Sequence, residues 1–306
     1  YPSVARTNQD DLVVLFSYIT EEQEGAGVGD IRMIRSGDLG ETWSSPMMIY
    51  RGIAGEPRTM GTLTTLSSGK LVAAVAEMGK GTQPQLVCLL TSEDGGQNWQ
   101  SSAPLKFPGV NWASPYGRLI EGRQGALVMS VSVELLPDAP ERGKLCAGLM
   151  RSTDGGRNWG DFSIIASDPK VNFHQPTVLS TGDKSLVALV NNSGGLLYRC
   201  RSKDDGYHWT DPQQIQLGRE PHLIRIEDDT LAWVFSKGGW WGWIRIGFSY
   251  NDGQTWRCDR KVMEHPGEPD GHFGWATGLA LDSKRLIVAF GHTQLPSISL
   301  DGPTAM

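Results

Sequence analysis

Apolar and polar residues alternate over short runs along the whole chain, as in Leu12–Tyr18, Leu71–Ala76, Ala126–Val133, Ser185–Val190, Thr230–Ser236 and Arg285–His292. β-Branched residues are frequent in these runs, and no stretch holds an apolar period of 3.6 residues, so the pattern predicts strands throughout and no long amphipathic helix. The runs come in sets. An apolar strand is followed by a turn with Gly, Asp or Ser and a second strand; a loop and a third strand lead into a fixed word, and a short fourth strand closes the set.

The fixed word is S-x-D-x-G-x-x-W. It occurs as Ser36–Trp43, Ser92–Trp99, Ser152–Trp159, Ser202–Trp209 and Ser249–Trp256, the last with Asn251 in the aspartate place. The tryptophans are 56, 60, 50 and 47 residues apart. Ser and Asp side chains close tight turns by bonding backbone N–H groups. The glycine supplies a positive φ, and the tryptophan buries a large apolar surface. The word is therefore a stapled turn between the third and fourth strands, and structural in purpose. Four strands per unit of about 50 residues, repeated, predict an all-β fold, a β-propeller of four-stranded antiparallel blades. Five units are complete and a sixth is at least half present. The expected organisation is one six-bladed domain over 1–306, with blades near 1–50, 51–106, 107–168, 169–218, 219–266 and 267–306.

Composition narrows the class. Of 306 residues, 20% are charged and 39% hydrophobic, the balance of a globular domain. A net charge of −6 argues against a nucleic-acid partner, and no apolar run is long enough for a membrane span. The chain opens at Tyr1 in a strand-like segment without a signal-peptide pattern, as a mature or trimmed form would. Cys88, Cys146, Cys200 and Cys258 are too dispersed for paired zinc ligands, and the first three are expected as buried thiols in equivalent strands. No metal or cofactor is called for. Asn191-Asn192-Ser193 forms a glycosylation sequon.

The five words and their spacing resemble the sialidase (neuraminidase) superfamily, whose Asp-box, or BNR, repeat is this word and whose catalytic domain is a six-bladed propeller. The resemblance covers nearly the whole chain and implies an exo-α-sialidase-like glycosidase that binds an acidic sugar. The family's equipment is three arginines that clamp a carboxylate, a tyrosine nucleophile with a glutamate partner, and an aspartate acid. Here the segment matching the first arginine starts at Tyr1-Pro2; Asn191-Asn192 stands at the fourth-blade arginine, Gln175-Pro176 at the glutamate, and Gly274-Trp275-Ala276 at the tyrosine.

Strand polarity selects a face independently. If the first strand of each unit is innermost, the Asp-box turns share one side. The other side, around the channel mouth, is built from residues just before strand one and just after strand two. Candidates for proton transfer there are Glu56, His174, Glu220, His222, Asp270 and His272. Candidates for binding are Arg58, Tyr116, Gln175, Asn191, Arg219, Trp240, Trp275 and His292. Arginine suits a carboxylate, histidine and carboxyl groups move protons near neutrality, and aromatic faces suit pyranose rings. Each also has a structural reading as an ion pair, a bonded loop residue or a packed ring. Three functions fit: a glycoside hydrolase on a sialic acid-like or uronate sugar, a uronate lyase on the same fold, or a binding propeller for glycan or protein.

Overall fold

The structure, a computed structural model, describes residues 2–18, 29–53, 56–58, 61–79, 84–122, 125–137, 145–183, 185–226, 229–237, 243–263 and 273–292. These residues form antiparallel sheets arranged radially as a propeller. Blade 1 is Ser3–Arg6, Leu12–Tyr18, Asp30–Ser36 and Met47–Arg51, in that order from the axis outward. Blades 4 (Phe173–Ser180 to Gln213–Leu217) and 5 (Arg219–Arg225 to Arg257–Met263) repeat this order. Blades 2 and 3 have interrupted inner strands, Glu56–Arg58 with Thr64–Thr65, and Val110–Pro115 with Ile120–Glu121. The sixth position holds two strands among the described residues, Phe273–Ala280 and Leu286–His292, so the expected six four-stranded blades are seen as five plus a two-stranded sheet. Among the described residues no helix is long and apolar enough to cross a membrane.

The second strand of each blade has a neighbouring blade on both faces, which is why Leu71–Met78 and Leu186–Asn192 are buried along their whole length. The core is accordingly divided into layers between blades. Val13, Leu15 and Met33 of blade 1 pack on Leu71, Ala73 and Leu90 of blade 2. Val187 and Leu189 of blade 4 pack on Leu231 and Trp233 of blade 5. The ring closes the same way, with Leu279 and Ile287 of the sixth sheet against Val4, Val14 and Ile34. Cys88, Cys146 and Cys200 are buried free thiols in the third strands of blades 2, 3 and 4.

The five stapled turns are built alike. In the third, Ser152 Oγ accepts the Gly156 N–H (2.9 Å) and donates to Asp154 Oδ1 (2.8 Å), which also accepts the Asn158 N–H (2.9 Å). Trp159 Nε1 donates to Gly156 O at 3.0 Å. Asn251 makes the equivalent bonds in the fifth turn, accepting from Ser249 Oγ and Thr255 N. There, however, Trp256 packs on Trp233 at a 35° tilt (5.1 Å), and its Nε1 has no acceptor among the described residues.

The turns also join blades. Gly156 has φ +90°, and a Cβ on it would lie 2.7 Å from Leu89 of blade 2; on Gly206 (φ +82°) it would lie 2.5 Å from Leu149 of blade 3. The arginine just before the turn reaches the following blade's turn in three cases: Arg35 to Gly95 O (3.1 Å), Arg151 to Asp205 O (2.9 Å) and Arg201 to Asp252 O (2.6 Å). Turns two and five are preceded by Thr91 and Phe248, which carry no such donor.

Two outcomes follow for stability. Gly155 also has a positive φ, +74°, but nothing lies within 4 Å of its notional Cβ. Gly155→Ala is therefore expected to lose only the left-handed backbone cost, about 1–2 kcal/mol. Gly156→Ala adds overpacking against Leu89, roughly 1–3 kcal/mol more, and a thermal melt of the pair reads the difference; equal midpoints would refute the inter-blade wedge. Hydrogen bonds from Thr42, Asn98 and Asn158 hold Asp38, Asp94 and Asp154 down at about 2, against an ordinary 3.8. A lowered carboxyl pKa stabilises fully above pH 4 and loses that contribution as the pH falls towards 2. Acid titration of folding should show this loss, and Asp154→Asn, on the precedent of Asn251, should shrink it.

Candidate functional site

The residues expected just before strand one lie inside it. The inner strands of blades 4 and 5 begin at Phe173 and Arg219, three residues ahead of the expected Pro176 and His222, and that of blade 3 begins at Val110 rather than Tyr116. The reason is a bulge. His174 pairs with Asn191 and Thr177 with Leu189, so Gln175 and Pro176 face one partner residue; the same slip separates Arg219 from His222 and Gly274 from Thr277. Proline is tolerated in a sheet at such a place because no ladder N–H is needed there. The residue at each bulge is left-handed without being glycine: Gln175 at φ +53°, Glu220 at +54° and Trp275 at +52°. Non-glycine residues in this region are uncommon and strained, by roughly 1–3 kcal/mol, and persist where the surroundings over-determine them.

The surroundings here are the preceding blades. Gln175 N donates to Ser132 Oγ of blade 3 (2.8 Å), and Glu220 N to Asn191 Oδ1 of blade 4 (3.3 Å). Trp275 N donates to Glu220 Oε2 of blade 5 (2.8 Å). Each bulge is thus pinned by the blade before it, and Glu220 is both the pinned residue of blade 5 and the pin for the sixth sheet.

Four expected residues converge at this point. Glu220 Oε2 accepts a second bond from Ser236 Oγ (3.0 Å), and burial raises the Glu220 carboxyl above its ordinary 4.5 against those two donors. Asn191 is fully buried and uses Oδ1 for the Glu220 amide, so its Nδ2 faces His174 Nδ1 at 3.2 Å. Nε2 of the same ring lies 3.5 Å from that amide nitrogen. Burial, then the charge of Arg219, lowers His174 to about 4, so the imidazole is neutral at pH 7. Arg219, half-buried, donates to Ser193 O at 3.2 Å. Burial of Asn191 also closes the sequon to glycosylation in the folded chain.

His222 is placed differently. It is 2% exposed in the channel wall, where Nε2 accepts from Arg118 Nε at 3.3 Å and lies 3.4 Å from Thr277 Oγ1. Burial first, and Arg118 second, drive its pKa well below 6.5. Tyr116 is 8% exposed, with its carbonyl bonded by Ser130 Oγ. Glu56, Arg58 and His292 lie on inner or second strands of blade 2 and the sixth sheet, but their side chains fall outside the described residues, as do Trp240, Asp270 and His272 entirely.

Sequence reasoning missed Arg118, Ser132, Ser236 and Glu134. Arg118 crosses the axis: Gly117–Arg118 pairs in parallel with Gly61–Thr62, and Arg118 Nη2 donates to Gly278 O (2.6 Å). Burial lowers this guanidinium to about 10. The signal was Gly117, at φ +70°, where a Cβ would lie 3.0 Å from Pro176 O. Glu134 holds the blade 3 rim by accepting from Trp112 Nε1 (2.6 Å) and Asn111 Nδ2 (2.8 Å).

Solved structures share this fold. A Dyadobacter fermentans protein of unknown function superposes with TM-score 0.78 at 21% identity, covering 96% of this chain and 90% of that one. The Hadza microbial sialidase Hz136 gives 0.71 at 19%, and Trypanosoma rangeli sialidase 0.68 at 16%, with 94% and 96% of this chain covered. The chain spans 62% and 52% of those two sialidases. A Penicillium chrysogenum α-L-arabinanase gives 0.64 at 17%, covering 95% of this chain and 92% of that one. No curated protein sequence matches. The model of the BNR repeat-like domain matches residues 12–222, more than half of the sequence and four of its five stapled turns, and the chain belongs to that family.

Proposed function

We propose that the protein is a glycan-processing enzyme, a glycoside hydrolase that takes an acidic sugar at the channel mouth between blades 4, 5 and 6. The observation that carries the proposal is the pairing of opposite proton states across one asparagine. Glu220 is biased towards keeping its proton and His174 towards giving its proton up, and Asn191 bonds the main-chain N–H of the one and the ring of the other. Groups whose environments push their pKa values apart are the usual acid and base of a site. In this reading Glu220 protonates the leaving glycosidic oxygen, and neutral His174 accepts a proton from the attacking water. Arg219 takes the sugar carboxylate, a role suited to a guanidinium in a protein of net charge −6. Trp275, at the place of the family's tyrosine, has no nucleophilic oxygen and offers a ring face to the sugar, so the proposed displacement is direct, by water. Three proteins that share the fold, two sialidases and an arabinanase, support the same class.

A lyase reading has one observation in its favour. A neutral histidine beside an arginine is also the arrangement that removes the proton α to a uronate carboxylate, with Arg219 neutralising the enolate charge. The product separates the two: a lyase gives an unsaturated uronate that absorbs in the ultraviolet, and a hydrolase does not.

Fluorogenic α-sialosides and β-glucuronides are the substrates to assay. Glu220→Gln and His174→Gln should each lower kcat by about 10²–10⁴-fold, and Arg219→Ala should act mainly on KM. The acid limb of the kcat/KM profile should fall near pH 4 and vanish in His174→Gln; an unchanged limb would sink the assignment of the base. Turnover of neither substrate class would leave binding as the reading.

The Glu220 proton has a stability signature independent of substrate. A carboxyl whose folded pKa is raised stabilises below its unfolded pKa and loses that contribution as the pH rises through the folded value. Glu220→Gln, which keeps an acceptor for Trp275 N and Ser236 Oγ, should therefore gain stability over the parent at pH 8 and match it near pH 4. Urea unfolding at both pH values measures this, and a loss at pH 8 would show that the carboxylate is ionised and stabilising.

A further inference from the structure

The side of the ring that carries the stapled turns has no role in the chemistry above, yet it holds a cleft of about 940 Å³ between the turns of blades 3 and 4. Trp159, Asp154 and Asp161 line it from blade 3, and Tyr207 and Asp205 from blade 4. Tyr207 occupies the sixth place of the stapled turn, where the other four turns have Glu41, Gln97, Arg157 and Gln254, so this cleft alone gains an aromatic ring from that place.

That ring is fixed while remaining 48% exposed. Its hydroxyl donates to Asp161 Oδ2 at 2.7 Å, and the Arg151 guanidinium lies 4.1 Å from its centroid. Arg151 is itself 7% exposed and held by Asp161 O (2.7 Å), Ser163 Oγ (3.2 Å) and Asp205 O (2.9 Å). Asp161 is in the left-handed region at φ +46°. An exposed tyrosine ordinarily keeps its rotamer freedom; one pinned at both ring face and hydroxyl presents a rigid apolar platform whose ordering cost is already met.

We infer that this cleft is a second carbohydrate site, on the opposite side of the ring from the channel mouth, and that it takes an uncharged pyranose. The ring of Tyr207 supplies the stacking face and Asp161 an acceptor for sugar hydroxyls, while Asp154 and Glu121, bonded to Ser152, Asn158 and Ser67, add negative charge to the lining. The same carboxylates set the charge preference. Among the described lining residues the one cation, Arg151, spends its donors on protein oxygens, so an anionic sugar meets the lining carboxylates without a guanidinium turned towards it. The channel mouth and the cleft therefore select sugars of different charge, and an extended glycan with an acidic end and a neutral body offers a ligand to each.

Saturation-transfer NMR on the full chain tests this, with lactose, cellobiose and maltose as neutral probes and glucuronate as the acidic one. Transfer to ring protons of at least one disaccharide is expected, undiminished by glucuronate and retained in Glu220→Gln and Arg219→Ala. Tyr207→Ala should weaken that binding by about tenfold, the loss of one stacking contact. Tyr207→Phe, which keeps the ring but frees it from Asp161, should weaken it less and guards against misfolding of the alanine variant. The inference is overturned if none of the three disaccharides shows transfer. It is equally overturned if transfer survives Tyr207→Ala, or if it is lost in Glu220→Gln, which would place the sugar at the channel mouth.

Discussion

The frame of this molecule depends on blades packing face to face with no room for a side chain at the turn glycines Gly156 and Gly206. Gly156 and Gly206 sit where a single carbon would strike a leucine of the blade before. The Ser–Asp bonding exists to hold a residue without a side chain at that point, and the tryptophan closes the turn over it. Arg35, Arg151 and Arg201 then tie one turn to the next by bonds to carbonyls. Because these contacts fix the spacing of neighbouring blades at one end of the strands, they fix it at the other end too. The channel mouth inherits its geometry from the opposite side of the ring.

At that mouth the inner strands carry strained bulges held by the preceding blade. The direction of the dependence is consistent: Ser132 holds Gln175, Asn191 holds Glu220, and Glu220 holds Trp275. A carboxyl that must serve as a hydrogen-bond acceptor for the next blade is not free to rearrange. This rigidity keeps Glu220 buried, and burial sets its proton affinity. Arg118 bridges the inner strands by its bonds to His222 and to Gly278 O.

The fold was legible because the stapled turn needs side chains of one chemistry at one spacing, and Asn251 is its only departure from Ser, Asp, Gly and Trp. The face was legible from strand polarity, which brought His174, Asn191, Arg219 and Glu220 into view. What sequence did not show was the bulge. Pro176 and, after Pro221, His222 read as the starts of strands, whereas each proline marks an irregularity inside one. His222 reads as a site histidine by position, but the bulge turns it into the channel wall. Arg118 was hidden because a strand pattern running through Tyr116-Gly117-Arg118 gives no sign that the chain leaves its own blade to pair with Gly61–Thr62.

The three bulges have a consequence for how such a face changes over time. Their shape is a property of backbone and of bonds to the blade before, and glutamine, glutamate and tryptophan all occupy it at nearly the same φ. The apices are not equivalent, though: a change at Glu220 also removes the acceptor that pins Trp275, so it is felt in the sixth sheet.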